Sequence, residues 1–394
     1  MRIVFGLLCL CFLIFFHELG HFIAAKLFGV CVESFSIGFG PVLFHKKIKG
    51  TDYRISLIPL GGYCGLKGEK DFSNAIELGL DKVEGEPDSM YGIHPLKRAI
   101  IAFAGPFFNV IFAVISFSLI SLIGYTYNSY SSKINLATDV YPEMVSSAKD
   151  AGLLSGDIIT KVNEKMVLNF SDLLFEISTK PNEIVKITVD RNGQIFTFDV
   201  PVLADKDSGM GKIGVIADSS TLSEYEAKKF SFFPAIGNGI KETFESIELT
   251  IKGIFSLFKS ADIKNSISGP ASIVDIMGSA AKDGFSVNLR TGFANILNLM
   301  AFISISLFIM NLLPIPILDG GLILFAFFEI ILRKKIHPKV MYYVQFVGIA
   351  FVVLFFILGV MGDISYFKNI KWYYIKRIKL FCFGVINEKI IFLN

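Results

Sequence analysis

Apolar residues run without a charge from Ile3 to Phe16, and comparable stretches recur at about 99–124, 293–316 and 341–362. Each approaches the ~20 residues a helix needs to cross ~30 Å of hydrocarbon, so the pattern predicts four membrane-spanning helices, the first over about 3–28. Just after the first, "YRISLIPLGGYC" (53–64) alternates well enough for strands. Between the second and third spans the pattern changes. "GDIITKV" (156–162) is strand-like, "SDLLFEIS" (171–178) fits one short helix, and "EIVKITVD" and "QIFTFDV" flank Arg191-Asn192-Gly193 as the arms of a hairpin. Farther on, Ile236, Ile240, Phe244, Ile247, Ile251, Phe255 and Phe258 recur at three- and four-residue spacing. That predicts an amphipathic helix, packed on its own domain or lying along the membrane.

Composition agrees with the spans. Hydrophobic residues make up 53% of the 394 and charged residues only 19%, which marks a membrane protein. A net charge of +3 with no long single-sign run argues against nucleic acid as a partner. Five cysteines, at 9, 11, 31, 64 and 382, leave the middle of the chain without a disulfide framework, and Cys9 and Cys11 point to different helix faces. Arg2, the apolar core and Ala24-Ala25 would also fit a cleaved signal peptide, but cleavage would discard the polar residues at its end. Nine Lys or Arg between Val30 and Arg98, and Arg333, Lys334, Lys335 and Lys339 after the third span, place both loops in the cytoplasm and both termini outside. The tail beyond residue 365 carries six more; on this topology it lies outside and reads as an interfacial basic, aromatic segment.

The first span ends in "HELGH", His17 to His21. Ionisable groups inside a span are costly and are functional candidates by default. At i and i+4 the imidazoles of His17 and His21 share one helix face and can converge on one metal ion, while Glu18, a step around, can reach a water there. A catalytic zinc site usually takes a third protein ligand. From Gly292 to Phe328 the only ionisable residue is Asp319, in "NLLPIPILDGG", where Pro314 and Pro316 cannot sustain helical hydrogen bonding and two glycines follow. Such an unwound element is tolerated at membrane depth only where it is buried in protein or lines a wet cavity. His45, His94 and His337 are the alternatives, each in a loop beside lysines or proline. A zinc- or proton-handling carrier would need these ligands but not Glu18, and a silent scaffold would have lost one of them.

"HELGH", "FAGPFFN" (103–109) and "NLLPIPILDGG" (311–321), with "FSIGFGP" (35–41), "AGLLSGDIITKVNEK" (151–165) and "GPASIVDIMGSAAKDG" (269–284), together resemble the site-2 protease family of intramembrane zinc metalloproteases, in its RseP-like bacterial branch. The resemblance implies an α-helical polytopic membrane protein with about four transmembrane helices, a membrane-associated β-loop and an inserted extracytoplasmic α+β PDZ-like domain. It implies one Zn2+ held by His17, His21 and Asp319, with Glu18 as general base. Asn311 and Asn109 become candidates for holding substrate backbone or the oxyanion. Gly61, Gly62, Pro314 and Pro316 become candidates for a clamp around an unwound substrate segment.

Domains then read as 1–29, first helix with the His motif; 30–98, cytoplasmic loop with a membrane-associated β-hairpin; 99–124, second helix; 125–205, a single PDZ-like domain; and 206–292, an extracytoplasmic linker with the amphipathic helix. There follow 293–321, third transmembrane segment; 322–340, cytoplasmic connection; 341–363, fourth helix; and 364–394, tail. Implied partners are the lipid bilayer and single-span membrane proteins, such as anti-sigma factors or signal-peptide remnants, trimmed beforehand by another protease. The implied location is the bacterial cytoplasmic (inner) membrane, with the active site towards the cytoplasm and the PDZ-like domain outside.

Overall fold

The computed structural model describes residues 2–83, 85–205, 210–259 and 269–382. Its elements run α1 (Arg2–Leu27), β1 (Val32–Ile48), β2 (Thr51–Leu66), α2 (Glu69–Glu77), α3 (Pro95–Ile123), β3 (Thr126–Tyr130), β4 (Ile134–Leu136), α4 (Ala137–Val140), α5 (Ser147–Asp150), β5 (Ile158–Val162), β6 (Lys165–Met166), α6 (Phe170–Ser178), β7 (Ile184–Arg191) and β8 (Gln194–Pro201). They continue with β9 (Leu203–Ala204), β10 (Gly211–Lys212), β11 (Val215–Ala217), β12 (Leu222–Glu226), α7 (Phe232–Lys259), α8 (Pro270–Val287), α9 (Leu289–Asn311), α10 (Asp319–Leu332) and α11 (Pro338–Cys382). Among the described residues four helical segments are long and apolar enough to span a bilayer: Ile3–Leu27, Pro95–Ile123, Leu289–Asn311 and Pro338–Lys368. The chain is a polytopic membrane protein.

Two compact units divide the chain. The first comprises Met1–Asn109, Lys264–Ala280 and Met310–Asn394. Here α1 lies so close to α3 that a Cβ on Gly20 would sit 2.7 Å from the carbonyl carbon of Ala104. Ala24, Ala25, Val30, Val32, Leu66, Met90 and Ile101 form the core beside that crossing. Strands β1 and β2 fold into more than a hairpin. Ser34–Ile37 pairs with Gly62–Gly65 on one side and with Asp52–Ile55 on the other, and Phe44–Ile48 pairs back onto Thr51–Ile55. The turn at Lys49-Gly50 has positive φ at both residues, the geometry of tight hairpins. Phe39, Val42, Leu43, Phe44, Ile55, Leu57 and Ile58 stay exposed on this sheet, an apolar surface that suits lipid better than water.

In the same unit the interval 322–340, expected as a connection, is mostly α10. At 14 residues it is about 21 Å long, too short to cross the bilayer. Its sequence, DGGLILFAFFEIIL, is hydrophobic all round, so composition alone merged its start with the third span. Asn311 closes α9, and the two prolines keep 312–318 non-helical before α10 begins at Asp319. A buried Arg98–Glu329 pair ties α10 to the start of α3, and Glu329 also accepts from the backbone N–H of Ile336 at 3.2 Å. Helix α11 continues unbroken to Cys382, past the boundary at 363 that the charge pattern drew; 383–394 lie outside the described residues. Asp363 of α11 caps α8, accepting from the N–H groups of Ala271 at 3.1 Å and Ser272 at 2.9 Å.

The second unit comprises Val110–Ile263 and Ala281–Ile309. Within it Ala113 and Phe117 of α3 pack on Ala301 and Ile305 of α9, with Ile247 of the amphipathic α7 against them. A four-stranded sheet, β6-β5-β7-β8, covers a separate core that includes Ile159, Val162, Leu173, Ile177, Val185, Ile187, Val189 and Val200. Strand β11 pairs with β4 and β12 with β3, so the inserted domain extends to Glu226 rather than stopping at 205. Those return strands are three and five residues long, too short to register as a periodic signal.

Candidate active site

Helix α1 carries no proline or charged residue between Ile3 and Phe16, and it presents His17 and His21 on the face turned to α3. That approach depends on one glycine. A Cβ on Gly105 would lie 2.5 Å from Cε1 of His21 and 2.9 Å from Cε1 of His17, inside any real contact. Asp319 enters as the first residue of α10, where the helix N-terminus favours a carboxylate. The 312–318 loop folds back on it closely. A Cβ on Gly321 would meet Cα of Pro316 at 2.5 Å, and one on Gly348 of α11 would meet Cδ of Pro316 at 3.2 Å.

His17, His21 and Asp319 are brought together as a group able to hold a metal ion. The two Nε2 atoms lie 3.2 Å apart, His17 Nε2 is 3.2 Å from Oδ2 of Asp319, and His21 Nε2 is 3.4 Å from Oδ1. Ligands on a tetrahedral zinc at ~2.0–2.1 Å are necessarily ~3.3 Å from one another. Donor chemistry and spacing therefore both fit zinc. Each ring's other nitrogen is also engaged: Nδ1 of His21 is 2.8 Å from the carbonyl oxygen of Ile101, and Nδ1 of His17 is 3.0 Å from the side-chain amide of Asn109. Such outer partners fix ring orientation in metal sites. Glu18 accepts from the backbone N–H of Cys64 at 3.1 Å, which fastens its carboxylate to the β-sheet.

Of the remaining expected residues only Asn109 meets the cluster. Asn109 is fully buried against His17. Asn311 ends α9 half-buried. The carbonyl of Gly61 accepts from the Cys11 thiol at 3.5 Å, and Gly62 allows close approach to Ser36. His45 pairs with Asp52 at 3.2 Å and His337 with Asp81 at 3.4 Å, while Nδ1 of His94 accepts from Leu96 N–H; none of the three joins the cluster. Gly105 and the Cys64 N–H were not singled out by sequence. One signal was available for the first: Gly105 and Asn109 have the same four-residue spacing as His17 and His21, so they share a face of α3.

The profile of peptidase family M50 matches residues 5–355. The chain belongs to this family. Relatives agree along most of their length. A protein described as a candidate zinc metalloprotease in Treponema pallidum is 34% identical, over 93% of this chain and 99% of its own. One of the same description in Campylobacter jejuni is 36% identical over 91% and 92%, and one in Borreliella burgdorferi is 32% identical over 94% and 100%. As a member of family M50, the site-2 proteases, the chain is a zinc metalloendopeptidase, which sets aside the carrier and scaffold readings.

Proposed function

We propose that His17, His21 and Asp319 hold the zinc of this M50 peptidase, that Glu18 is its general base, and that it cuts single-span membrane proteins within or near their transmembrane segment. The observation that carries the reading is the mutual spacing of 3.2–3.4 Å among the three ligand groups. Zinc, when bound, supplies Lewis acidity that polarises a carbonyl and makes a water easier to deprotonate. Glu18 takes the proton of the attacking water and passes it to the leaving amine; its tether to Cys64 holds it ready for both transfers. The amide of Asn311 donates to substrate backbone or to the developing oxyanion.

A helical substrate hides its peptide bonds, so it must be held extended. The strand 62–65 that carries Cys64 pairs with 34–37 on one side only, and among the described residues no strand pairs with its other edge. An extended substrate segment added there would lie beside Glu18. Gly61, Gly62, Pro314 and Pro316 keep the surrounding backbone close-packed and non-helical. The inserted domain, 125–226, is PDZ-like in its strand-and-helix order and lies outside the cell, with the site towards the cytoplasm of a bacterial inner membrane, as the Lys and Arg of 30–98 and 333–339 favour. Substrates trimmed beforehand by another protease, as in regulated intramembrane proteolysis, suit this arrangement.

The test is cleavage of a single-span reporter in proteoliposomes, with mass spectrometry of the products. Parent protein should cut within or beside the span, and Glu18→Gln should lose about 10²–10⁴-fold in rate. Cuts confined to soluble loops, or undiminished cutting by Glu18→Gln, would overturn the proposal.

A further inference from the structure

We infer that Asn109 is a positioning residue which orients the His17 ring and accepts its Nδ1–H in the ring form that can bind a metal; the inference rests on the ligand set proposed above. The two histidines are oriented differently. Nδ1 of His21 faces the carbonyl oxygen of Ile101 at 2.8 Å, and a carbonyl can only accept. The ring hydrogen is therefore on Nδ1, and Nε2 turns a lone pair towards Asp319. For His17 the facing atom is the amide nitrogen Nδ2 of Asn109, 3.0 Å from Nδ1.

An amide can present either end. With its NH2 towards Nδ1, the ring hydrogen sits on Nε2, which then donates to Asp319 and has no lone pair for a metal. With its oxygen towards Nδ1, the Nδ1–H donates and the Nε2 lone pair faces the other two ligands. A half-turn of the amide exchanges these states with almost no change in shape. Asn109 thus satisfies His17 with or without a metal, and a neutral group does so where an ionised one would be costly.

Position supports this role over substrate contact. Asn109 is fully buried and lies one turn beyond Gly105, on the face of α3 that meets both imidazoles. A side chain enclosed there orients a ligand and does not touch a peptide.

The experiment is zinc affinity of the full-length protein in detergent, measured by competition with a chelator, for parent, Asn109→Leu, Asn109→Asp and His17→Ala. Asn109→Leu keeps the size and removes the acceptor, so affinity should fall about 10–100-fold while helix content and the unfolding midpoint stay near parent. Asn109→Asp keeps a carboxyl oxygen able to accept the Nδ1–H and should recover a large part of the affinity lost in Asn109→Leu, which a residue that merely glues helices would not do. If the leucine variant does not fold, Asn109→Ala replaces it in the same comparison. Parent affinity in Asn109→Leu, or affinity in Asn109→Asp as low as in Asn109→Leu, overturns the role. Should His17→Ala lose zinc in that case, the ligand set still stands; should His17→Ala also keep zinc, the ligand set itself fails.

Discussion

Replacing Gly105 by alanine would add one methyl group to the surface on which both imidazoles rest. The added carbon would start 2.5 Å from Cε1 of His21 and 2.9 Å from Cε1 of His17, against an ordinary contact of 3.4 Å. One ring must retreat by 0.9 Å and the other by 0.5 Å, or α1 must tilt away from α3 at the crossing where a Cβ on Gly20 would lie 2.7 Å from the carbonyl carbon of Ala104. Metal–ligand distances tolerate only about ±0.2 Å, so zinc occupancy should drop. A misplacement of about 1 Å typically costs ~10²-fold in rate, or about 3 kcal/mol of barrier. Alanine is the better helix former by about 1 kcal/mol, so helix propensity alone would make the variant more stable. Metal content, reporter cleavage and unfolding midpoint, measured together in detergent, separate these effects. Gly237→Ala, where an added Cβ meets nothing within 4 Å, is the control and should match parent. Full zinc occupancy and parent activity in Gly105→Ala would refute the packing argument.

Further outcomes follow from groups around the site and in the insert. Glu329→Ala should leave the buried Arg98 guanidinium uncompensated and cost about 3–5 kcal/mol by denaturant unfolding, whereas an apolar pair at both positions should recover most of it. In the inserted domain, burial raises the Glu176 pKa, but hydrogen bonds from Lys165 and Lys180 more than offset this and hold it below the ordinary carboxylate value. Its contribution to stability is therefore complete above the unfolded pKa of ~4.3 and disappears as pH falls through the lower folded value. Glu176→Gln should flatten that acid limb in a pH series of unfolding midpoints; an unchanged limb would remove Glu176 as its cause. Asp363→Ala should expose the start of α8 to faster amide hydrogen exchange at Ala271 and Ser272 and cost about 0.5–2 kcal/mol.

The three residues of the candidate metal site were legible because their signals are local or compositional. His17 and His21 are a turn apart on one helix, and Asp319 is the lone ionisable group in a long apolar run. What lay between them was not. That Asn109 meets His17 across 92 positions, and that Cys64 meets Glu18 across 46, depends on how α3 and the β-sheet pack against α1. Helix α10 was hidden because a short apolar helix and the end of a span have the same composition. The β-sheet read as a hairpin because alternation reports strands but not which strands pair. Short returning strands carried the inserted domain 21 residues past its expected end, to Glu226.

The central claim is that His17, His21 and Asp319 hold a catalytic zinc served by Glu18. Zinc-edge X-ray absorption on the purified protein, with metal counting, tests it directly on parent, Glu18→Gln and Asp319→Ala. About one zinc per chain in a nitrogen–oxygen shell with two imidazoles, kept in Glu18→Gln and lost or re-coordinated in Asp319→Ala, is the predicted result. A sulfur-containing shell, or a shell unchanged in Asp319→Ala, would contradict the account.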